Sequence, residues 1–396
     1  MLKEISIKNF LSFNEKVEFN MIADKRTSKL AFNILPNEYN ILKSAVIYGP
    51  NNTGKTSFIN GIEFLKDILL NTQINNYKNH NIFTNSNIIE IKVVFIYNNN
   101  EYQYYLKYDD QTKEYIYEEF KENNKKIYEK DPINNQYYCI DKNIQKLLPL
   151  LSKNNILIYN IDVEKFPELI IVKKSLLNFA NNILIFKMNQ TNLNKTIEFL
   201  KQDNKYKNKI INFIIKSDLF LENYEYDEDI QISKSINITP KQLDLLKLKS
   251  TYKETLVPSI LFDSDGTLKM VALSSYIIDA IYNGKILLID EIDGSLHFKL
   301  VREIINMFNN ELNTKAQLIA TTHDISLLDC KKIFRKEQIW FTSKDDKKTY
   351  LYPLSKFTYQ KDKIRENTDL IDKYSKGFLG AIPDPDLISI LIEDNE

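Results

Sequence analysis

GPNNTGKT, Gly49 to Thr56, decides how the chain is read. It is a complete G-x-x-x-x-G-K-[ST] string, with the apolar stretch Ile41 to Tyr48 before it and helical periodicity from Thr56 to Leu70 after it. Strand, glycine loop and helix together predict a phosphate cradle. Gly49 and Gly54 let the backbone close around phosphate oxygens. Pro50, Asn51, Asn52 and Thr53 form the loop between them, and Ser57 follows in the first helical turn. Lys55 places a point charge on the β- and γ-phosphates, and the Thr56 hydroxyl reaches Mg²⁺. ATP with Mg²⁺ is the implied ligand.

A phosphate loop needs an acidic partner on a neighbouring strand. Lys285-Ile-Leu-Leu-Ile-Asp290-Glu291 supplies four apolar residues and then two carboxylates, at the strand end where ligands sit in open α/β sheets. Asp290 is expected to hold Mg²⁺ through water and Glu291 to polarise an attacking water. Asp293-Gly-Ser-Leu-His297 follows. Leu318-Ile-Ala-Thr-Thr-His323-Asp is a further apolar strand, ending in one of only three histidines, which places an imidazole near a γ-phosphate. Upstream, Ser264-Asp-Gly266-Thr267 uses one of eight glycines and runs directly into an apolar segment. Locally it reads as an N-cap and first helical turn.

The remaining composition narrows the class. In 396 residues, 43% apolar and 12% aromatic content supports a substantial core. The 53 basic and 53 acidic residues cancel, so no global charge argues for nucleic acid or membrane binding. Cys139 and Cys330 have no metal-ligand spacing. The N-terminus alternates like a strand rather than a secretory leader, and no apolar run approaches the ~18 residues of a membrane span. The chain therefore reads as soluble and cytoplasmic. With no glycine between Gly61 and Gly266, asparagines are expected to supply the turns.

Residues 2–8 and 15–22 alternate as strands, and 88–97 with 102–108 read as a hairpin turning at Asn98-Asn99-Asn100. Lysine-, asparagine- and leucine-rich texture from about 110 to 245 predicts a mainly helical segment, including helices over 173–186 and 194–201. The expectation is three parts: an N-terminal lobe at 1–109 with the glycine loop, a mainly helical insertion at 110–245, and a C-terminal lobe at 246–396. The fold class is α/β, assembled from two sequence-distant halves.

Taken in order, GPNNTGKT, SDGT, ILLIDE, DGSLH and TTHD resemble the ABC-type ATPase head, a P-loop NTPase, shared by SMC and RecF proteins. IKNFLSF near the N-terminus is similar to the opening strand of such heads. Leu327-Leu-Asp, Arg335-Lys-Glu-Gln-Ile-Trp-Phe, Lys344-Asp-Asp and Gly377-Phe-Leu-Gly-Ala-Ile-Pro look closer to one branch: the AAA-family ATPases of bacterial abortive-infection and anti-phage loci, AbiL-like and related to the PARIS system ATPase. The resemblance covers roughly 1–70 and 245–390. It implies that Gly49 to Thr56 bind nucleotide, that Asp290 and Glu291 serve as Mg²⁺ partner and catalytic base, and that His323 is a γ-phosphate switch. It also places Asp293 in the segment coupling two heads, and makes Ser264 and Gly266 the signature residues that contact the γ-phosphate of the opposite subunit. The implied assembly is a homo-oligomer, at least an ATP-dependent dimer. Two features depart from the pattern. Asp265 stands where a second glycine is usual, and the glutamine joining the lobes has only Gln73 and Gln103 as candidates.

An effector of its own is not expected. Only 73 residues follow His323, too few for a Toprim domain beyond the family-like tail, and Asp384-Pro-Asp386 reads as a solvated turn. Two of the three histidines lie inside ATPase motifs, and the one that remains, His80, is too few for an HNH nuclease. A separate effector such as a Toprim or RloB-like nuclease is the implied partner. The lysine-rich stretches 121–130 and 201–209 are candidate DNA contacts, with solvated faces as the simpler reading. A RecF- or SMC-like repair ATPase and a scaffold with structural ATP are the alternatives.

Overall fold

In the computed structural model the described residues are 1–72, 78–201, 206–217, 220–228, 239–328, 332–346, 348–362, 364, 368–380 and 382. Sixteen strands are assigned among them. They are β1 (Leu2–Lys8), β2 (Val17–Asn20), β3 (Ser44–Tyr48), β4 (Ile88–Tyr97), β5 (Asn100–Asp109), β6 (Glu114–Glu122), β7 (Lys125–Asp131), β8 (Gln136–Cys139) and β9 (Ile183–Lys187). Then come β10 (Asn223–Tyr226), β11 (Leu248–Tyr252), β12 (Thr255–Pro258), β13 (Ile286–Asp290), β14 (Gln317–Thr322), β15 (Ile339–Asp345) and β16 (Lys348–Pro353). The longer helices are α1 (Lys55–Leu70), α2 (Pro167–Asn181), α3 (Asn194–Lys201), α4 (Lys207–Lys216), α5 (Asp265–Asn283) and α6 (Phe298–Asn309), with the short α7 (Leu370–Ser375) near the end.

The central sheet runs β16-β15-β3-β14-β13-β9. Its strands pair in parallel except for β16, which turns back antiparallel on β15. Strict alternation along each strand divides the interior in two. Ala45 and Ile47 of β3 with Ile286 and Leu288 of β13 pack towards α1, α2 and the antiparallel sheet. Val46, Tyr48, Leu287 and Ile289 pack on the other face with α5 and α6. Burial on both faces is why these strands read as unbroken apolar runs. The second sheet is antiparallel, in the order β2-β1-β4-β5-β6-β7-β8. Buried Gln317 joins the two sheets: its Oε1 accepts from the Leu2 N–H at 2.7 Å and its Nε2 donates to the Leu2 carbonyl at 2.9 Å. The architecture is the α/β P-loop layout expected: a mixed sheet flanked by helices.

Two expectations change. The stretch after residue 110 is not helical at first, because β6, β7 and β8 extend the antiparallel sheet. Register shifts at Lys107/Tyr108 and Phe120/Lys121 break the period-two pattern that would have revealed them. The helix expected over 173–186 stops at Asn181, and Ile183–Lys187 is β9, paired in parallel with β13. A four-residue apolar run cannot be told from a helix end by periodicity. Helix 194–201 forms as expected, as does the 88–109 hairpin, with Asn98 and Asn99 at φ 49° and 58° in its turn. Asparagine accounts for half of the non-glycine residues with positive φ among the described residues. Asp384-Pro-Asp386 lies outside them. Among the described residues, no helix is long and apolar enough to cross a membrane.

Candidate nucleotide-binding site

β14 lies between β3 and β13, with Thr322 opposite Tyr48 and Ala320 opposite Ile289. Parallel pairing therefore brings the glycine loop after β3, the acids after β13 and His323 after β14 to one edge. The loop bends where expected: Asn52 has φ 61° and Gly54 has φ 97°, and α1 starts at Lys55. Gly49 is required by close approach. A Cβ there would fall 2.2 Å from Thr342 Oγ1 and 2.6 Å from the Thr342 carbonyl of β15. The Thr53 hydroxyl lies 2.7 Å from both the Pro50 carbonyl and Thr342 Oγ1, so β15 seats the loop from below.

Lys55 Nζ donates to the Gly49 and Pro50 carbonyls at 2.7 and 2.8 Å. Burial pushes its pKa down to about 8, while Asp290, Glu291 and Asp293 pull in the opposite direction. A phosphate needs the ammonium form. As pH rises through about 8 the ligand-free site loses that proton, so nucleotide affinity falls. A titration of ATP affinity should show about a tenfold loss between pH 7 and 9.

The acids are held by Thr321, which periodicity did not single out. Its hydroxyl donates to Asp290 Oδ1 at 2.7 Å and accepts from the Glu291 N–H at 2.7 Å. Glu291 sits at φ 58°, a left-handed conformation costly for a non-glycine residue, and Gly294 N–H ties back to its carbonyl at 2.7 Å. That bend turns the chain so that Asp293 Oδ2 accepts from the His323 N–H at 3.1 Å. Asp293 Oδ1 is buried without a partner. The His323 imidazole is held below its ordinary pKa by partial desolvation and by the Lys55 ammonium, with Asp293, Glu291 and Asp290 opposing. It therefore faces the site as a neutral ring near neutral pH.

These residues suit ATP with Mg²⁺. Among the described residues no three carboxylate, histidine or cysteine side chains cluster to cage an ion by themselves. Mg²⁺ asks for less, because it keeps waters and takes phosphate oxygens with one or two protein ligands. Thr56 is exposed in the first turn of α1, and Asp290, buried at 3% exposure, spends only Oδ1 on Thr321.

A family model described as "AAA domain, putative AbiEii toxin, Type IV TA system" matches residues 44–329, more than half of the chain. The chain belongs to this AAA family. Among solved structures, the SMC head domain from Thermotoga maritima is similar at 13% identity, covering 89% of this chain and 98% of that one, with a TM-score of 0.44. The SMC head bound to the C-winged helix domain of ScpA is similar at 13% identity over 89% and 97%, with a TM-score of 0.46. No curated protein matches.

In this AAA domain Ser264 and Gly266 do not bond to the glycine loop. Ser264 is the N-cap of α5, accepting from the Thr267 N–H at 3.2 Å. A Cβ at Gly266 would lie 2.8 Å from the Ser295 carbonyl. The sequence suggested that a phosphate from a second subunit explains this glycine, but contact with the 293–297 turn is already a sufficient reason inside one chain. Lys269 reinforces the contact, donating to Ser295 Oγ at 3.0 Å and pairing with Asp265 Oδ2 at 2.7 Å. Gly266→Ala should thus lower stability by about 1–3 kcal/mol, read as a fall in Tm without nucleotide.

The fold also places one further glutamine, Gln190, just beyond a strand that the sequence reading took for helix. Gln73 lies outside the described residues, and Gln103 lies in β5 of the other sheet, donating to Glu119. β9 ends beside Asp290, with Lys187 opposite it, and Gln190 follows in an exposed turn whose N–H bonds the Lys187 carbonyl at 2.9 Å. The missing signal was β9 itself: reading 173–186 as helix hid the strand that delivers Gln190.

Proposed function

We propose that the chain is an ATP-hydrolysing molecular switch. Two copies sandwich ATP·Mg²⁺ and thereby control a separate effector, in a defence role against phage. The observation that supports this most is the convergence of Lys55, Asp290, Glu291 and His323 at three adjacent parallel strand ends. Gly49 to Ser57 bind the phosphates, with Thr56 and Asp290 on the Mg²⁺ side. Glu291 orients and deprotonates the attacking water, and the neutral His323 ring donates its N–H to the γ-phosphate. Thr56 and Asp290 would hold Mg²⁺, which when bound would offset negative charge on the nucleotide phosphates. Asp293 couples the acidic bend to His323, and Ser264 with Gly266 of one copy completes the site of the other.

The family description names a toxin and a toxin–antitoxin system, which favours a defence role over housekeeping repair. The finer resemblance to AbiL-like and PARIS ATPases points to an effector such as a Toprim or RloB-like nuclease encoded nearby. Turnover measured with and without DNA tests the reading. Slow hydrolysis indifferent to DNA is expected. Strong stimulation by DNA would favour a RecF- or SMC-like repair ATPase, and tight binding without turnover would favour a scaffold. We assign Gln190, three residues beyond the β9 end paired with Asp290, as the group that positions the attacking water, so Gln190→Ala should lower turnover about 10–100-fold while leaving ATP affinity near wild type.

A further inference from the structure

A groove of about 1120 Å³ opens between α4, α5 and α6, and no residue of the glycine loop is among its described lining. Its floor is apolar, from Phe213, Ile278, Leu300, Ile304 and Met307. Its rim carries Lys209, Lys216 and Lys299 against one described acid, Glu303. Lys209 lies 3.8 Å from the centre of the Tyr282 ring. Lys216 and Lys299 are exposed and form no ion pair among the described residues. The α4 wall, KNKIINFIIK, contains no acid at all.

An extended segment would lay its backbone N–H and C=O groups against walls built of helices, which offer no strand edge to pair them. A helix arrives with those groups already paired and buries only side chains. α4 has ten residues and α6 twelve, so the walls run about 15 and 18 Å, the length of about three turns of a docked helix. Such a helix sets apolar residues at i, i+3, i+4 and i+7 on the floor. Its flanks then face the unpaired lysines, where carboxylates complete the pairing. A nucleic acid finds nothing on the apolar floor for its phosphates.

We propose that this groove receives an acidic amphipathic helix from a separate protein, its apolar stripe on the floor and its carboxylates on Lys216 and Lys299. Equating that protein with the effector rests on the proposed switch; the docking does not. Ser264, Gly266 and Thr267 line one end of the same groove. Under the switch reading a docked helix therefore stands beside the surface through which two copies pair.

The probe is a fluorescent peptide stapled as a helix, with leucines at i, i+3, i+4 and i+7 and glutamates on its flanks, titrated into the full chain without nucleotide. It should bind the wild-type protein and lose about tenfold in affinity to a Lys216→Glu, Lys299→Glu protein. Both positions are exposed, so that variant stays folded. A peptide with lysines in place of the glutamates should bind about tenfold more weakly, and one with serines in place of the leucines should not bind. Neither control asks the protein to change. Absence of binding by the acidic peptide, indifference to the charge reversals, or equal binding of the acidic and lysine peptides would overturn the proposal. So would displacement by a single-stranded oligonucleotide, which would make the groove a nucleic-acid site. Dissociation of a nucleotide-free dimer as peptide binds would also overturn it, since the occupant would then be a second copy. With no nucleotide present, failure of docking leaves the pairing of copies untouched, and failure of pairing leaves the docking intact.

Discussion

Lys55→Ala should weaken ATP binding about 100-fold, because it removes a charge-assisted contact to the phosphates in a largely buried site. Calorimetric titration with ATP·Mg²⁺ measures this directly. The folded protein should tolerate the change. Lys55 has its pKa lowered from 10.5 to about 8, so burying its ammonium costs stability at neutral pH rather than supplying it. Between about pH 8 and 10.5 the unfolded chain binds the proton and the folded one does not, so stability rises with pH across that window. Lys55→Ala should erase this rise. Its Tm at pH 7 should equal or exceed that of the wild type, although the alanine leaves the Gly49 and Pro50 carbonyls without their donor. A loss of binding accompanied by unfolding would mean that Lys55 is structural.

Glu291→Gln should separate binding from chemistry. The amide preserves shape and the two backbone contacts that hold the left-handed bend, the Glu291 N–H to Thr321 Oγ1 and the Gly294 N–H to the Glu291 carbonyl. It removes the only feature a general base needs, a carboxylate lone pair that can take a proton. Turnover should fall about 10²–10⁴-fold while ATP affinity stays within a few-fold of wild type. Equal losses in both would place Glu291 among the phosphate-binding groups, and unchanged turnover would leave the base elsewhere. Thr321→Val is the companion experiment. It removes the hydroxyl that fixes both acids, and it should reduce turnover without abolishing it.

The chemistry of the site was legible because it is written in contiguous strings. The glycine loop needs Gly49 for the close approach of Thr342 and Gly54 for a positive φ, requirements that only glycine meets cheaply. The central strands were equally plain, since burial on both faces leaves runs such as Ile286–Asp290 with no polar interruption before the acids. What stayed hidden depended on long-range pairing. β6 to β8 are masked by bulges and by tyrosine, lysine and glutamate ladders that leave few apolar positions to count. β9 becomes recognisable only when β13 lies beside it, and with it Gln190. Gly266 was visible as a glycine, but its nearest neighbour, the Ser295 carbonyl, is 29 residues away in sequence, a contact no local reading can supply.

The proposed switch depends on nucleotide bringing two copies together. Sedimentation velocity of the Glu291→Gln protein, with and without ATP·Mg²⁺, tests it most directly, because the slowed chemistry holds the bound state long enough to observe. One copy, or a fixed smaller assembly, is expected without nucleotide, a doubling of mass with ATP·Mg²⁺, and no doubling when Lys55→Ala is added. A mass unchanged by ATP·Mg²⁺ in a protein shown by calorimetry to have bound it would mean that nucleotide does not pair the copies.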